Sequence, residues 1–246
     1  MKAVIVGATS GIGRAIARRL AERGDSVVIL GINEEDLQRS AADVASRHPS
    51  QTNFGYVLCD LERPETFAPA LDAADAALGG FDTVIVTAAM YATQDELEDD
   101  VELVRRLCTV NFAHTIVFCE HARKRLLARG GGTLVAISSV AGDRGRKPVA
   151  IYGAGKAGLA RYLEALDHKF HAAGLTVVCV KPGFVKTPMT AGLKPPPFAG
   201  EPDGVAADII RAMDRKKPVV YTPGIWALVM LVIRWLPRFV MRKINF

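Results

Sequence analysis

The stretch Lys2-Ala3-Val4-Ile5-Val6-Gly7-Ala8-Thr9-Ser10-Gly11-Ile12-Gly13-Arg14 decides the fold. A run of apolar, mostly branched side chains leads straight into a turn with glycines at 7, 11 and 13, and an amphipathic segment, 11–23, follows. A strand covered on both faces reads as such a continuous run. Glycines in the turn let it close tightly and bring backbone N–H groups near an anion, to which the following helix adds the positive end of its dipole. Strand, glycine turn and helix at the start of a βαβ unit form the context of a dinucleotide pyrophosphate site. The plainer reading makes the same glycines a tight turn and nothing more.

Working outward, strand-length apolar runs recur at 26–31, 54–59, 82–87, 133–138 and 175–181, with a short seventh at 218–222. Helical patterns lie between them at 34–47, at 64–78 and in a long segment ending near Arg129. This alternation predicts an α/β fold, a Rossmann-type doubly wound parallel sheet of about seven strands with helices on both faces. No repeat, low-complexity tract or long linker divides it. Residues 1–224 are therefore expected as one dinucleotide-binding and catalytic domain, with an apolar, basic helical tail at 225–246.

Half of the 246 residues are hydrophobic and 23% are charged, as in a globular chain with a substantial core. Cys59, Cys108, Cys119 and Cys179 stand far apart among apolar neighbours, which suggests buried thiols rather than disulfides or a metal site. That usage, and a first strand starting at Lys2 with no room for a signal peptide, points to a cytoplasmic protein. The net charge of +5 is unevenly placed: seven basic residues and no acidic ones follow Asp214, so the rest of the chain is net negative. With cations confined to an apolar tail and no reading module, nucleic acid is not an expected partner.

The spacing Gly7-x-x-x-Gly11-x-Gly13 resembles that of the short-chain dehydrogenase/reductase family, and the resemblance extends over about 2–222. It implies dinucleotide contacts from Gly7, Thr9, Ser10, Gly11, Ile12, Gly13 and Arg14 in the first turn. It also implies contacts from Asp60 and Leu61 after the third strand, where the family places an acid beside the adenine. Ala88 and Ala89 follow the fourth strand, where the family usually carries Asn-Asn-Ala-Gly, so backbone contacts are expected there. After the sixth strand come Pro182, Gly183, Val185 and Thr187, the last matching a hydroxyl that contacts the nicotinamide carboxamide. An acid ending the second strand would bind a ribose 2′-OH, but Gly31 holds that place. With that carboxylate missing and Arg14 nearby, NADP is favoured over NAD.

Tyr152 and Lys156 are four residues apart, one turn along one helical face. A phenol is a poor base near neutral pH, and a neighbouring ammonium should lower its pKa toward the working range. Tyr152 and Lys156 are then an acid/base pair that also meets the cofactor, although a lone Tyr-x-x-x-Lys is more commonly a surface pair. Ser139, 13 residues before Tyr152, matches the family's interval better than Ser138 and would polarise the substrate oxygen. Asn111 matches the family's asparagine that supports the lysine through water. The implied reaction interconverts a ketone and a secondary alcohol by NAD(P)(H)-dependent hydride transfer.

Beside Ser139 stand Arg144, Arg146 and Lys147, either an anion site or a solvated turn. The Pro-rich loop 189–204 reads as a cover over the substrate. In the tail, Arg234, Arg238 and Arg242 recur every four residues beside Trp235 and Phe239. That pattern fits an interfacial helix, kinked at Pro237, on the inner face of an anionic membrane; a hairpin over the cleft or across a subunit interface is the other reading. The segments 141–146, 187–190 and 236–239 resemble the branch of the family that reduces a polyprenylphosphoryl 2-keto-pentose. That implies a lipid-linked keto-sugar as substrate, and the family resemblance implies a homodimer or homotetramer. Reduction of hydrophobic or 3-oxoacyl ketones is the alternative within enzymes, and a non-catalytic nucleotide-binding membrane adaptor the alternative outside them.

Overall fold

The computed structural model describes residues 1–48 and 54–244. Seven strands form one sheet: β1 (Lys2–Val6), β2 (Ser26–Gly31), β3 (Phe54–Leu58), β4 (Thr83–Val86), β5 (Gly132–Ile137), β6 (Leu175–Pro182) and β7 (Val219–Thr222). Their order is β3-β2-β1-β4-β5-β6-β7, and every pairing is parallel. The doubly wound parallel sheet expected from the alternation is present. Val4 pairs with Val28 on one side and Val84 on the other, so the central strands are flush.

Alternate residues of β1 enter opposite cores, as the two-residue period requires. Val4 and Val6 pack with Phe67, Leu71, Phe118 and Leu163, from α3 (Phe67–Leu78), α6 (Thr115–Ala128) and α7 (Ala150–Phe170). Ala3 and Ile5 pack with Ile16, Leu37, Val205 and Ile209, from α1 (Gly11–Glu22), α2 (Glu34–Ser46) and α8 (Pro202–Asp214). The strand order reverses between β1 and β4, which opens a crevice beyond their carboxyl ends.

The long helix ending near Arg129 is broken into α4 (Gln94–Asp99), α5 (Val101–Cys108), a π-helical turn (Thr109–His114) and α6. Asp100 causes the first break: its backbone is extended and its carboxylate accepts from the Glu102 and Leu103 amides, capping a new helix. Cys59, Cys119 and Cys179 are buried, whereas Cys108 is only half-buried.

The tail differs from a single kinked helix. α9 (Ile225–Trp235) stops at Leu236, which is extended (φ −61°, ψ 131°) ahead of Pro237, and α10 (Arg238–Met241) starts afresh. Arg234, Arg238 and Arg242 therefore do not share one helical stripe. Asn245 and Phe246, the end of the expected tail, lie outside the described residues. No helix among the described residues is long and apolar enough to cross a membrane.

Candidate active site

At the crevice, Gly7 takes φ +87°, and a Cβ there would stand 2.6 Å from the Ala88 nitrogen. Gly13 is fixed by contact instead: its Cβ would meet the Gly7 carbonyl at 2.3 Å and the Thr87 hydroxyl at 2.5 Å. The Thr87 hydroxyl donates to the Val6 carbonyl at 2.8 Å, binding the end of β4 to the glycine turn. Sequence reading expected only backbone contacts here and missed that hydroxyl.

A cavity of about 680 Å³ runs from this turn to Tyr152. Of the residues expected at the site, Gly7, Thr9, Ser10, Gly11, Ile12, Gly13, Asp60, Leu61, Ala88 and Ala89 line one part of it. Ser139, Tyr152, Lys156, Pro182, Gly183, Val185 and Thr187 line the rest. The two groups meet where Thr187 Cγ2 closes to 3.2 Å of an ideal Cβ on Gly11.

Two expected residues lie outside this cavity. Arg14 gives a guanidinium hydrogen bond to the Thr9 carbonyl and faces a neighbouring cleft with Ser40 and the ion pairs Arg18–Asp43 and Arg39–Asp36. Its Nε is buried with no hydrogen-bond partner among the described residues. Asn111 is buried in the π-helical turn, where it accepts from the Met90 amide at 2.7 Å and donates to the Met90 carbonyl at 2.8 Å. Its side chain is thus committed to the cavity wall rather than turned toward Lys156.

Ser138 and Ser139 differ in what their hydroxyls do. Ser138 is buried and donates to the Lys156 carbonyl at 2.8 Å. Ser139 accepts from the Ala141 amide at 3.0 Å and sits on the cavity. Lys156 is buried, and its Nζ donates to the Ile137 carbonyl at 2.8 Å. Burial pulls this ammonium down to about 8, against a smaller upward effect of Cys179. The phenol of Tyr152 behaves opposite to expectation: burial pushes it up, Tyr91 adds to the rise, and a hydrogen bond from Ser139 only partly opposes them. The reason is enclosure, since desolvation disfavours phenolate and ammonium alike.

Among the residues of the cavity wall that were not anticipated are Tyr91 and Trp226. Tyr91 sets its ring edge-on to Tyr152, with centroids 5.6 Å apart. Trp226 stands so close to Gly183 that a Cβ there would fall 2.1 Å from the indole nitrogen, and that nitrogen donates to the Phe198 carbonyl at 3.2 Å. The tail reading left a hairpin over the cleft open, but nothing in the local pattern singled out this tryptophan. Ile32 also lines the cavity while remaining largely exposed.

The cluster of three cations is divided. Arg146 lines the cavity, and burial pushes its guanidinium below the ordinary value while Asp143 opposes that. Arg144 instead donates to the Leu236 carbonyl at 2.8 Å, and Lys147 to the Arg242 carbonyl at 2.8 Å. These two hold the tail rather than facing the cavity. The loop 189–204 contributes Met189, Thr190, Leu193 and Pro196 to the wall.

A doubly wound sheet with a glycine turn and a deep cleft at its switch point defines a Rossmann-type protein. The family model for the short chain dehydrogenase matches residues 1–197. An uncharacterized oxidoreductase of Mycobacterium tuberculosis is 32% identical over 242 residues, covering 98% of this chain and 95% of its own. A cis-4-hydroxycyclohexanecarboxylate dehydrogenase of Sinomonas cyclohexanicum is 34% identical over 194 residues, covering 78% and 76%. A short-chain type dehydrogenase/reductase from Mycobacterium ulcerans shares the fold, with a TM-score of 0.81 at 23% identity over 89% of this chain and 87% of that one. The chain belongs to the short-chain dehydrogenase/reductase family and is an oxidoreductase of that family.

Proposed function

We propose that the protein interconverts a ketone and a secondary alcohol with NAD(P)(H), using Tyr152 as the acid/base. The observation that carries this reading is one cavity holding the glycine turn at one end and Ser139, Tyr152 and Lys156 at the other. The cavity fits a dinucleotide: where bulk would obstruct the first turn the chain has glycine, and the volume is that of a cofactor site. When bound, the dinucleotide supplies or takes the hydride. In reduction, Ser139 Oγ holds the carbonyl oxygen and the Tyr152 hydroxyl gives that oxygen its proton as the carbon accepts hydride; oxidation runs the same proton back to Tyr152. Lys156 holds a positive charge beside the Tyr152 ring and would meet the ribose of a bound dinucleotide. Asn111 acts at one remove, fixing Met90 in the cavity wall.

NADP is the favoured cofactor, because no acid ends β2 and Arg14 offers a buried guanidinium edge beside Thr9. On the substrate side, apolar walls and Arg146 suit a ketone with an apolar body and an anionic group. A lipid-linked keto-sugar phosphate has those features. The Sinomonas relative is named for a ring alcohol bearing a carboxylate, which has them too. We read 1–224 as the catalytic unit and 225–246 as a tail that completes its wall through Trp226.

The test is NADPH and NADH oxidation with polyprenyl-phosphate keto-sugars, ring keto-carboxylates, 3-oxoacyl thioesters and steroid ketones, alongside Tyr152→Phe. Turnover of at least one ketone that disappears in the variant is expected. Equal turnover by wild type and variant would remove Tyr152 from the mechanism.

A further inference from the structure

α9 is apolar on two opposite faces, and the fold uses only one. Trp226, Met230 and Ile233, spaced by four and three, are buried against Val140, Tyr221 and Met241. Leu228, Val232 and Trp235 repeat the same spacing on the other side with Leu231 beside them, and all four are exposed, Trp235 by 81%. Phe239, the second residue of α10, is 65% exposed as well. A helix that is apolar all round belongs in a core or against something else apolar, and this one is in neither position.

The face is held in place. Arg144 binds the Leu236 carbonyl between α9 and α10, Lys147 binds the Arg242 carbonyl beyond α10, and Trp226 binds Phe198. The loop that Trp226 holds carries two more exposed apolar side chains, Met189 and Phe198. The side-chain charges carried by this segment are all of one sign: Arg234, Arg238, Arg242 and Lys243 accompany the face, and no carboxylate side chain occurs after Asp214. A second copy on a two-fold axis would bring two such basic sets together. An anionic lipid surface supplies the opposite charge to the arginines and an interfacial layer to Trp235 and Phe239.

We propose that the outer face of α9 and α10 docks on an anionic lipid bilayer. α9 has 11 residues, too few to span, so it lies in the interface. Trp226 of its inner face walls the cavity, so docking sets the cavity near the headgroup layer, where an apolar ketone is delivered. The docking does not depend on the reaction proposed above and is tested without it.

The full chain is sedimented with vesicles of phosphatidylcholine alone or mixed with phosphatidylglycerol, at low and high salt. Association with the mixed vesicles only is expected, weakened by salt and by about five-fold for each of Arg238→Gln and Arg242→Gln. Trp235→Ser with Phe239→Ser should lose it while keeping the wild-type circular dichroism. Fluorescence reports the same event, since the chain has two tryptophans and Trp226 is already buried. Mixed vesicles should shift wild-type emission to the blue, and Trp235→Phe should remove that shift. Three results would overturn the proposal: no association with the mixed vesicles, equal association with neutral ones, or a stable dimer in light scattering that Trp235→Ser dissociates.

Discussion

Lys156 Nζ lies 5.7 Å from the centre of the Tyr152 ring and spends a 2.8 Å hydrogen bond on the Ile137 carbonyl. The ammonium therefore faces the ring rather than capping the hydroxyl. Burial moves the two groups toward their neutral forms, the phenol up and the lysine down to about 8. A phenol held in its protonated form carries the proton that a reduced carbonyl takes up, while its raised pKa makes it a weaker acid than a free phenol.

Removing that proton isolates its contribution. Tyr152→Phe keeps the ring that packs edge-on to Tyr91 and deletes only the hydroxyl. Ketone turnover should fall by about 10²–10⁴-fold, the range for a general acid, with dinucleotide affinity little changed. Steady-state kinetics beside a fluorescence titration of NADPH separates the two effects.

The lysine gives a pH signature. Its charge is lost as pH rises through about 8, so turnover in the reductive direction should decline across that range. Lys156→Arg keeps its charge to far higher pH and should lose the inflection. Stability moves the other way. Between about 8 and the ordinary lysine value of 10.5 the unfolded chain holds a proton that the folded chain has released, so folding gains as pH rises, by up to about 3 kcal/mol. Urea unfolding of wild type and Lys156→Met across that window measures the difference.

Legibility followed periodicity and chain order. Gly7, Gly11 and Gly13 could be placed because a strand before them and a helix after them leave one geometry for the turn. The strands in the middle of the sheet could be placed because both faces are buried, which writes each as an unbroken apolar run, whereas the edge strands β3 and β7 are only partly covered. Side-chain commitments were less visible. Nothing in the neighbourhood of Asn111 shows that both ends of its amide go to Met90, 21 residues away. The cations at 144, 146 and 147 look equivalent in sequence, yet a 3-10 turn and the returning tail send one to the cavity and two to backbone carbonyls. Trp226 reaches the cavity only because the chain after β7 folds back over Gly183, a long-range contact that local pattern does not encode.

Cofactor choice should turn on Arg14. Its guanidinium reaches the Thr9 carbonyl and keeps Nε buried beside the turn, while Gly31 leaves the end of β2 without a charge to repel a 2′-phosphate. Arg14→Ala should weaken NADPH binding by about ten-fold, the scale of one charge-assisted hydrogen bond, and leave NADH nearly unaffected. Calorimetric titration with both dinucleotides checks it, and equal losses would place Arg14 outside the 2′-phosphate site.

Asp143 joins three segments. It accepts from Lys181 Nζ of β6 at 2.6 Å and from the Tyr221 hydroxyl of β7 at 2.6 Å, from the loop that leaves Ser139. Burial alone would pull Lys181 down, yet the hydrogen bond and charge of Asp143 outweigh it and hold the ammonium above its ordinary value. Asp143→Asn leaves that enclosed ammonium uncompensated and should cost about 3–5 kcal/mol. Denaturant unfolding measures this loss. Asp143→Asn paired with Lys181→Met removes both charges and should recover much of it.

Trp226 tests whether the tail belongs to the cavity. The indole fills the space over Gly183, closes on the Phe198 carbonyl, and anchors a small cluster of Val140, Met230 and Ile233 that is separate from both main cores. Trp226→Ala should cost about 3–5 kcal/mol. Because the cluster is a satellite, that loss should appear as local release of 225–241 rather than as lower stability of the sheet. Hydrogen exchange should then show α9 and the loop before Gly200 losing protection together, with β1, β4 and β5 unchanged. Michaelis constants for bulky ketones should rise more than turnover numbers fall, because the wall binds substrate and does not touch the proton. A uniform loss of protection across the sheet would instead make Trp226 a core residue of the whole domain.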